Sequence, residues 1–417
     1  MRIKYAVFLL LAVAVISFTA CSDDEVKTSE VSLGLSLPGT IENLSVNSGS
    51  FTFTNVTTAT EVSVGYTAAT VTQLPDGLYN VSFTGKASYT YTKETLVDGE
   101  TIVSDTLVTK SLQGSQQNVQ ITGGNYSLSL NVYLVNDKAD FVIAEIYGVG
   151  TYTPGTSSQY NGDQYFRVYN NSDQTLYADG LVLVESKFTT TQKYAYNPDK
   201  MDEAMTVQVV AMIPGSGKGH PVEPGKSIII CDNAMNHLEA NASSFDLSGA
   251  DFEWYTQSTS TTNPDSDNPS VPNLEMLYNY TKTIWILNKQ GVKAYALARL
   301  GVTKEKYLAD YTYTYNYVMS TGATSKDYTE YYIPNDWIID AVNLSPKSAY
   351  VWNVTSASLD MGFTYFGLNN TIKENLGKGV NRKVSYTTAD GRKVLQDTNN
   401  SSVDFTPASA ASLATNK

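Results

Sequence analysis

Acid–base and metal chemistry would have to be assembled here from few parts, because the chain holds only two histidines, His220 and His237, and two cysteines, Cys21 and Cys231. His220 sits in a Gly/Pro-rich loop and His237 on an expected short helix. Neither has a Cys or acidic neighbour at ligand spacing, so both read as structural or solvated imidazoles rather than a zinc pair. Counting residues leaves a Ser-His-Asp triad open, but no Gly-x-Ser-x-Gly elbow supports one. Gly215-Ser216-Gly217-Lys218-Gly219 is glycine-rich enough to cradle a phosphate. Met212 stands where a P-loop needs its first glycine and Gly219 where it needs Ser or Thr, so the stretch reads as a turn. Two loops carry oxygen ligands that could suit calcium: Asp265 and Asp267 within Asn263–Asn268, and Asp397, Asn399, Asn400 and Asp404 near the end of the chain. Calcium takes about six to eight oxygens, and neither loop completes an EF-hand series; solvated Asx turns are the competing reading.

The most suggestive pattern is aromatic. Tyr311, Tyr313, Tyr315 and Tyr317 alternate with polar residues, which on a strand puts four rings on one face about 7 Å apart. Such a ladder, extended by Tyr328, Tyr331, Tyr332 and Trp337, could stack on a sugar or another planar ligand. The same tyrosines would also suit a sheet face packed on the core, with phenols reaching water at its edge.

The elements positioning these groups are expected to be strands. Thirty Tyr against thirteen Phe and four Trp fit half-solvated pleated surfaces. Charged residues at 17% and hydrophobic ones at 42% describe a folded chain. Its net charge of −13, from 28 Lys and Arg against 41 Asp and Glu, argues against nucleic acid as a partner. Short helices are expected at Asn233–Ala240 and Thr303–Asp310. Lys187–Gly219, Asn241–Asn273 and Thr321–Asn335 read as long insertions between core strands.

The beginning of the chain reads as an export signal. Arg2 and Lys4 precede an apolar run over Ala6–Phe18, too short to span a bilayer, so residues 1–20 are expected to be a signal peptide. Phe18-Thr19-Ala20-Cys21 resembles the lipobox of bacterial lipoproteins, departing from it at Phe18. The resemblance implies lipidation of Cys21 and membrane attachment through that anchor. Loss of Arg2 and Lys4 would take the net charge to −15. With Cys21 lipidated, Cys231 has no intrachain partner and reads as a buried thiol. Ser22-Asp23-Asp24-Glu25 resembles the acidic export tag of surface lipoproteins in Bacteroidota. It implies an outer-membrane lipoprotein displayed at the cell surface, with a periplasm-facing one as the alternative.

After a tether over residues 21–30, the remaining chain exceeds one ordinary core, and two β-sandwich domains are expected. The first covers 31–137. Its clearest unit, Leu74-Pro75-Asp76-Gly77-Leu78-Tyr79-Asn80-Val81-Ser82-Phe83, places a turn before a strand whose core face is Tyr79, Val81 and Phe83. The phrase is similar to transthyretin-like and carboxypeptidase-regulatory-like sandwiches. Another hairpin is expected around Val97–Glu100.

The second domain, 138–417, runs through "YFRVYNNSD" (Tyr165–Asp173), "ADGLVL" (Ala178–Leu183), "PGKSIII" (Pro224–Ile230), "IIDAV" (Ile338–Val342) and "DTNNSSVDF" (Asp397–Phe405). In that order these resemble the lamin-tail domain, an immunoglobulin-like sandwich, although Arg167 and Leu181 stand where that family usually has Glu and Trp. "IPGSGKGHPVEPG" (Ile213–Gly225) and "DLSGADFEW" (Asp246–Trp254) resemble an uncharacterised Bacteroidota lipoprotein family of unknown function. That resemblance implies a non-enzymatic accessory capturing a glycan or other nutrient, alongside a TonB-dependent outer-membrane receptor. The alternatives are an adhesive or structural protein-interaction module and, third, a hydrolase. The expected fold class is all-β: two sandwiches, the second with long loop insertions.

Overall fold

The computed structural model describes residues 26–37, 43–67, 69–97, 100–135, 140–153, 155–156, 158–160, 162–258, 264–281, 283–388 and 390–416. Cys21, the leader, the acidic tag and the expected boundary at 137/138 lie outside them. The fold is all-β and built from several packed sheets. No helix among the described residues is long and apolar enough to cross a membrane.

Alternation of apolar and polar residues builds the first sandwich. A three-stranded sheet (Thr70–Pro75, Thr28–Ser36, Asn125–Asn131, in spatial order) faces a five-stranded one (Glu61–Gly65, Ser45–Asn55, Gly77–Val97, Glu100–Ile121, Tyr133–Val135). Val31, Leu33, Leu74, Leu128 and Leu130 from the first meet Phe51, Phe53, Leu112 and Ile121 from the second in one buried cluster. Tyr79, Val81 and Phe83 fill it as expected, each no more than 3% exposed. The Tyr79 hydroxyl donates to the Pro75 carbonyl at 2.8 Å, closing the turn that starts the strand. Gly49 and Gly85 are register partners beside the Phe83 ring, and a Cβ on Gly49 would lie 2.2 Å from it. The expected hairpin at Val97–Glu100 is present and unusually long: pairing continues from Tyr89–Val108 out to Val97–Glu100, beyond the Ser45–Ser88 pair that ends contact with the third strand.

The second part holds a six-stranded sheet, ordered Phe252–Glu253, Ser227–Cys231, Tyr165–Asn170, Phe141–Tyr147, Lys378–Arg382 and Phe405–Ala410. It packs on an eight-stranded sheet whose centre is Ala204–Met212, Leu181–Ser186 and Ala294–Arg299. Phe141, Ile143, Phe166 and Ile230 interleave with Leu181, Leu183, Val209, Tyr295 and Leu297 to form the main core. The larger sheet is buried on its other face too, where Val182, Val184, Met205, Val207, Ala294 and Ala296 meet Tyr307, Trp352 and Val354. Strands covered on both faces cannot alternate, which explains continuous runs such as Leu181–Ser186, buried at every position.

Two of the expected insertions contain core strands. Lys187–Gly219 includes Ala204–Met212, a central strand of the larger sheet, and Thr321–Asn335 includes Tyr328–Pro334. In Asn241–Asn273 the described residues are mainly irregular, with a two-residue strand at Phe252–Glu253. The expected helix at Thr303–Asp310 forms as Lys304–Asp310, with the Thr303 side chain accepting from the Lys306 amide. The one at Asn233–Ala240 shortens to a single 3-10 turn, His237–Glu239, capped by Asn236.

Candidate functional site

The tyrosine-rich strand Thr312–Val318 lies in the larger sheet between Ala195–Asn197 and Tyr328–Pro334. Its register places Tyr317 opposite Tyr196 and Tyr315 opposite Tyr328, so residues of three strands share one face. Along the strand the Tyr313 and Tyr315 rings are 5.5 Å apart, closer than the repeat of about 7 Å, and across to the next strand Tyr328 lies 5.7 Å from Tyr315 and 5.9 Å from Tyr317.

Where this face meets the segment after Ser186, the surface sinks into a recess of about 190 Å³. Two stacked pairs flank it, Phe188 on Tyr196 at 4.1 Å and Tyr194 on Tyr317 at 4.4 Å, with Tyr315 and Tyr328 completing the lining. Offset or edge-to-face rings 4.5–7 Å apart favour one another by about 0.5–1.5 kcal/mol per pair beyond burial, so these walls form a preorganised surface. Lys187, Thr189 and Gln192 contribute the polar lining. Lys187 is paired at 2.5 Å with Glu330, which also accepts from the Tyr278 hydroxyl at 3.1 Å. Burial, followed by that carboxylate, pushes Tyr278 up to about 12. Burial likewise raises the Tyr196 and Tyr315 phenols, while Tyr317 is raised first by its hydrogen bond with Tyr328. The Tyr196, Tyr315 and Tyr317 phenols are therefore neutral at physiological pH, able to donate a hydrogen bond or present an uncharged ring face.

The expected four-ring platform is divided. Tyr311 lies outside the strand, at the C-cap of Lys304–Asp310. Its ring packs on Tyr307, which is fully buried, at 5.6 Å and on Trp337 at 4.7 Å. Trp337 lies so close to Gly301 that a Cβ there would approach its indole nitrogen to 2.5 Å. Tyr311 and Trp337 thus serve packing against the second core. Tyr313 donates to or accepts from the Thr206 hydroxyl at 2.7 Å beneath the Lys200 ammonium. Tyr315 and Tyr317 reach the recess. Phe188, Tyr194 and Tyr196 were missed because they fall in a stretch read as an insertion; the alternation Tyr194-Ala195-Tyr196-Asn197 is the signal that marks them.

The other candidates take structural partners. The buried His237 ring has both nitrogens engaged, Nε2 with the Asn233 carbonyl at 2.8 Å and Nδ1 with the Tyr160 hydroxyl at 3.1 Å. His220 packs edge-on to Phe252 at 4.9 Å. The Gly215–Gly219 loop does hold an anion, but an internal one: the amides of Gly217, Gly219 and His220 donate to the Asp179 carboxylate at 3.1, 2.8 and 2.7 Å. Those bonds hold Asp179 below its ordinary range against a desolvation effect of opposite sign.

The expected calcium loops are not assembled as cation sites. Among the described residues no group of three His, Cys, Asp or Glu side chains is placed to hold a metal. Asp265 accepts from the Thr256 and Ser266 amides, and Asp267 from the Asn273 side chain. Asp397 pairs with Arg382 at 3.1 Å, Asp404 binds Thr398 through its amide and hydroxyl, and the Asn399 side chain donates to the Ser358 carbonyl. Their oxygens are used in closing loops.

A crystal structure of a DUF4876 family protein from Bacteroides thetaiotaomicron matches 92% of this chain and 96% of that chain, with a TM-score of 0.54 and 21% identity. At that identity the likeness bears on the fold. A candidate adhesin from Bacteroides ovatus aligns over 78% of this chain and 91% of that chain, with a TM-score of 0.20 and 9% identity. Comparison with proteins of curated description returns no match. Residues 223–412, a little under half of the chain, match the family described as protein of unknown function (DUF4876), and the phrases Asp246–Trp254 and Asp397–Phe405 fall within that match while Ile213–Gly225 overlaps its start.

Proposed function

We propose that this protein is a non-enzymatic surface lipoprotein that captures a ring-bearing ligand, a glycan or other nutrient, in the aromatic recess beside Tyr317. The observation carrying this reading is the pair of stacked walls, Phe188 on Tyr196 and Tyr194 on Tyr317, around about 190 Å³ of open space. The engaged ring nitrogens of His237 support binding over hydrolysis. Isothermal titration with a panel of oligosaccharides tests the reading: Tyr194→Ala should weaken any ligand bound by wild type by about tenfold, the equivalent of one lost stacking contact of about 1.4 kcal/mol. Binding unchanged in both Tyr194→Ala and Tyr317→Ala would refute it.

The leader and acidic tag support attachment through Cys21 to the outer membrane, and delivery to a TonB-dependent receptor accounts for a capture protein at that address. Cys21→Ala should abolish fatty-acid labelling and release the protein from membranes. Co-purification of the receptor with the native lipoprotein tests the partner.

An adhesive reading is favoured by a different observation, the nine residue pairs of the first-domain hairpin from Tyr89–Val108 to Val97–Glu100. At 3.3 Å per residue they make a two-stranded arm roughly 30 Å long. Shortening that arm should reduce cell attachment and leave glycan binding intact; the capture reading predicts the reverse for the tyrosine variants.

A further inference from the structure

We infer that the recess selects an acidic pyranose, a sugar ring bearing a carboxylate, over its neutral counterpart. The inference deepens the capture reading and rests on it. It comes from the polar groups left free once the internal partners of the site are assigned.

A neutral sugar presents hydroxyls, which are best held by a mixture of donors and acceptors, and carboxylates are the strongest acceptors a protein can offer. The described carboxylates near this recess each accept at least one internal bond. Glu330 is 6% exposed and shared between Lys187 and Tyr278. Asp327 accepts from the Asn316 side chain at 3.0 Å and Asp199 from the Met201 amide at 3.1 Å. Glu203 pairs with Lys200 at 3.1 Å.

The donors are disposed differently. The Lys326 ammonium stands 5.2 Å from the centre of the Tyr328 ring, and that of Lys193 lies 5.0 Å from the centre of Trp352, which packs on Tyr196 at 6.0 Å. Neither lysine forms an ion pair among the described residues. Lys326 is thus held against a ring of the recess itself and Lys193 against Trp352, the neighbour of Tyr196, in both cases by a ring contact rather than by a carboxylate. A cation over a ring face keeps its remaining N–H donors directed outward, so an incoming carboxylate gains charge-assisted hydrogen bonds without first displacing an ion pair. The available groups are therefore ring faces, phenolic hydroxyls and ammonium donors, a set suited to an apolar ring face with a carboxylate at its edge. The chain's overall acidity does not oppose this at close range, because charges farther than about 10 Å are screened at 0.1 M ionic strength.

The test compares oligogalacturonate with its carboxyl-reduced product, which keeps linkage and ring shape and loses only the charge. Titration calorimetry at 0.1 M salt should show the acidic oligomer binding wild type about tenfold more tightly or better. The exposed double variant Lys193→Gln/Lys326→Gln should bring the acidic form down to the neutral one, and Tyr194→Ala should weaken both forms alike. Equal binding of the two oligomers, with the lysine variant indistinguishable from wild type, would overturn the charge selection while leaving the recess as a sugar site. Acid-selective binding that survives Tyr194→Ala and Tyr317→Ala would place the charge contact elsewhere and overturn both readings. Failure of both oligomers to bind would likewise overturn the inference.

Discussion

Replacing Arg382 with Gln should destabilise the second part of the chain by about 3–5 kcal/mol at pH 8 and by much less at pH 5, because one buried guanidinium there serves three carboxylates. Nη2 donates to both Asp340 oxygens at 2.7 and 2.6 Å, and Nη1 lies 3.1 Å from Asp397 and 3.8 Å from Asp404. Nε donates to the Ile143 carbonyl at 2.9 Å, and the group stacks on Phe405 at 4.6 Å. Both Arg382 and Asp340 are buried, so the pair ties Phe141–Tyr147, Ile338–Asn343 and Lys378–Arg382 together inside the fold. Burial pushes Asp340 up to about 7 and Asp404 up to about 6, even with the arginine opposing it. A carboxyl raised on folding stabilises most below its unfolded value near 3.8, and that contribution is lost as pH rises through 6 to 7. For Asp404 alone the shift is worth roughly 3 kcal/mol across the window. Wild type should therefore resist urea better at pH 5 than at pH 8. Removing Arg382 makes the loss steeper with pH, since protonation is then the only way to neutralise the buried acids. Tryptophan fluorescence during urea unfolding at both pH values measures this directly. A cost for R382Q that is the same at both, or below about 1 kcal/mol at pH 8, would refute the reasoning.

Three other perturbations have defined outcomes. Gly85→Ala would place a Cβ 2.3 Å from the Ser48 carbonyl oxygen and should cost the first sandwich at least 1–3 kcal/mol in chemical denaturation, with the pH response of the second part unchanged. Asp179→Ala leaves the Gly217, Gly219 and His220 amides without their acceptor; it should destabilise by about 1–3 kcal/mol and expose the Gly215–Gly219 loop to proteolysis and hydrogen exchange, whereas Asp179→Asn should retain part of the bonding. Cys231 is fully buried, and burial followed by the charge of Glu253 raises its thiol well above the ordinary range; it should react with a thiol reagent only at the rate of unfolding, and rapid labelling of the native protein would contradict the packing.

Much of the fold could be read from residues because local chemistry and burial agree there. The Pro75-Asp76-Gly77 turn fixes which residues of the next strand face inward, and Tyr79, Val81 and Phe83 follow with no tertiary information needed. Thr303 capping Lys304–Asp310 is equally local. The reading failed where strands are buried on both faces. Ala204–Met212 carries Thr206 and Gln208 inside the fold, Thr206 bonded to Tyr313 and Gln208 to Glu185, so its polar letters made a central strand look like part of an insertion. A polar residue in a core strand becomes intelligible only when its partner, distant in sequence, is known.

The same reasoning explains why half of the recess was hidden. Tyr315 and Tyr317 announce themselves by alternation within one strand, but a binding surface needs a second wall, and that wall comes from Phe188, Tyr194 and Tyr196 more than a hundred residues earlier. Pairing of Ala195–Asn197 with Thr312–Val318 brings the walls together, through a three-residue strand too short to show a period of its own. Tyr311 shows the converse. It shares the alternation, yet the preceding helix extends to Asp310 and takes Tyr311 as its cap, turning its ring toward Tyr307 and Trp337. Periodicity counts residues without knowing where a strand starts, so a fourth tyrosine was assigned to a face it does not share. The recess therefore depends on a register between two distant strands. Substituting Pro for Ala195, whose exposed side chain leaves the aromatic walls intact, should abolish ligand binding by breaking that pairing while Tyr315 and Tyr317 remain in place.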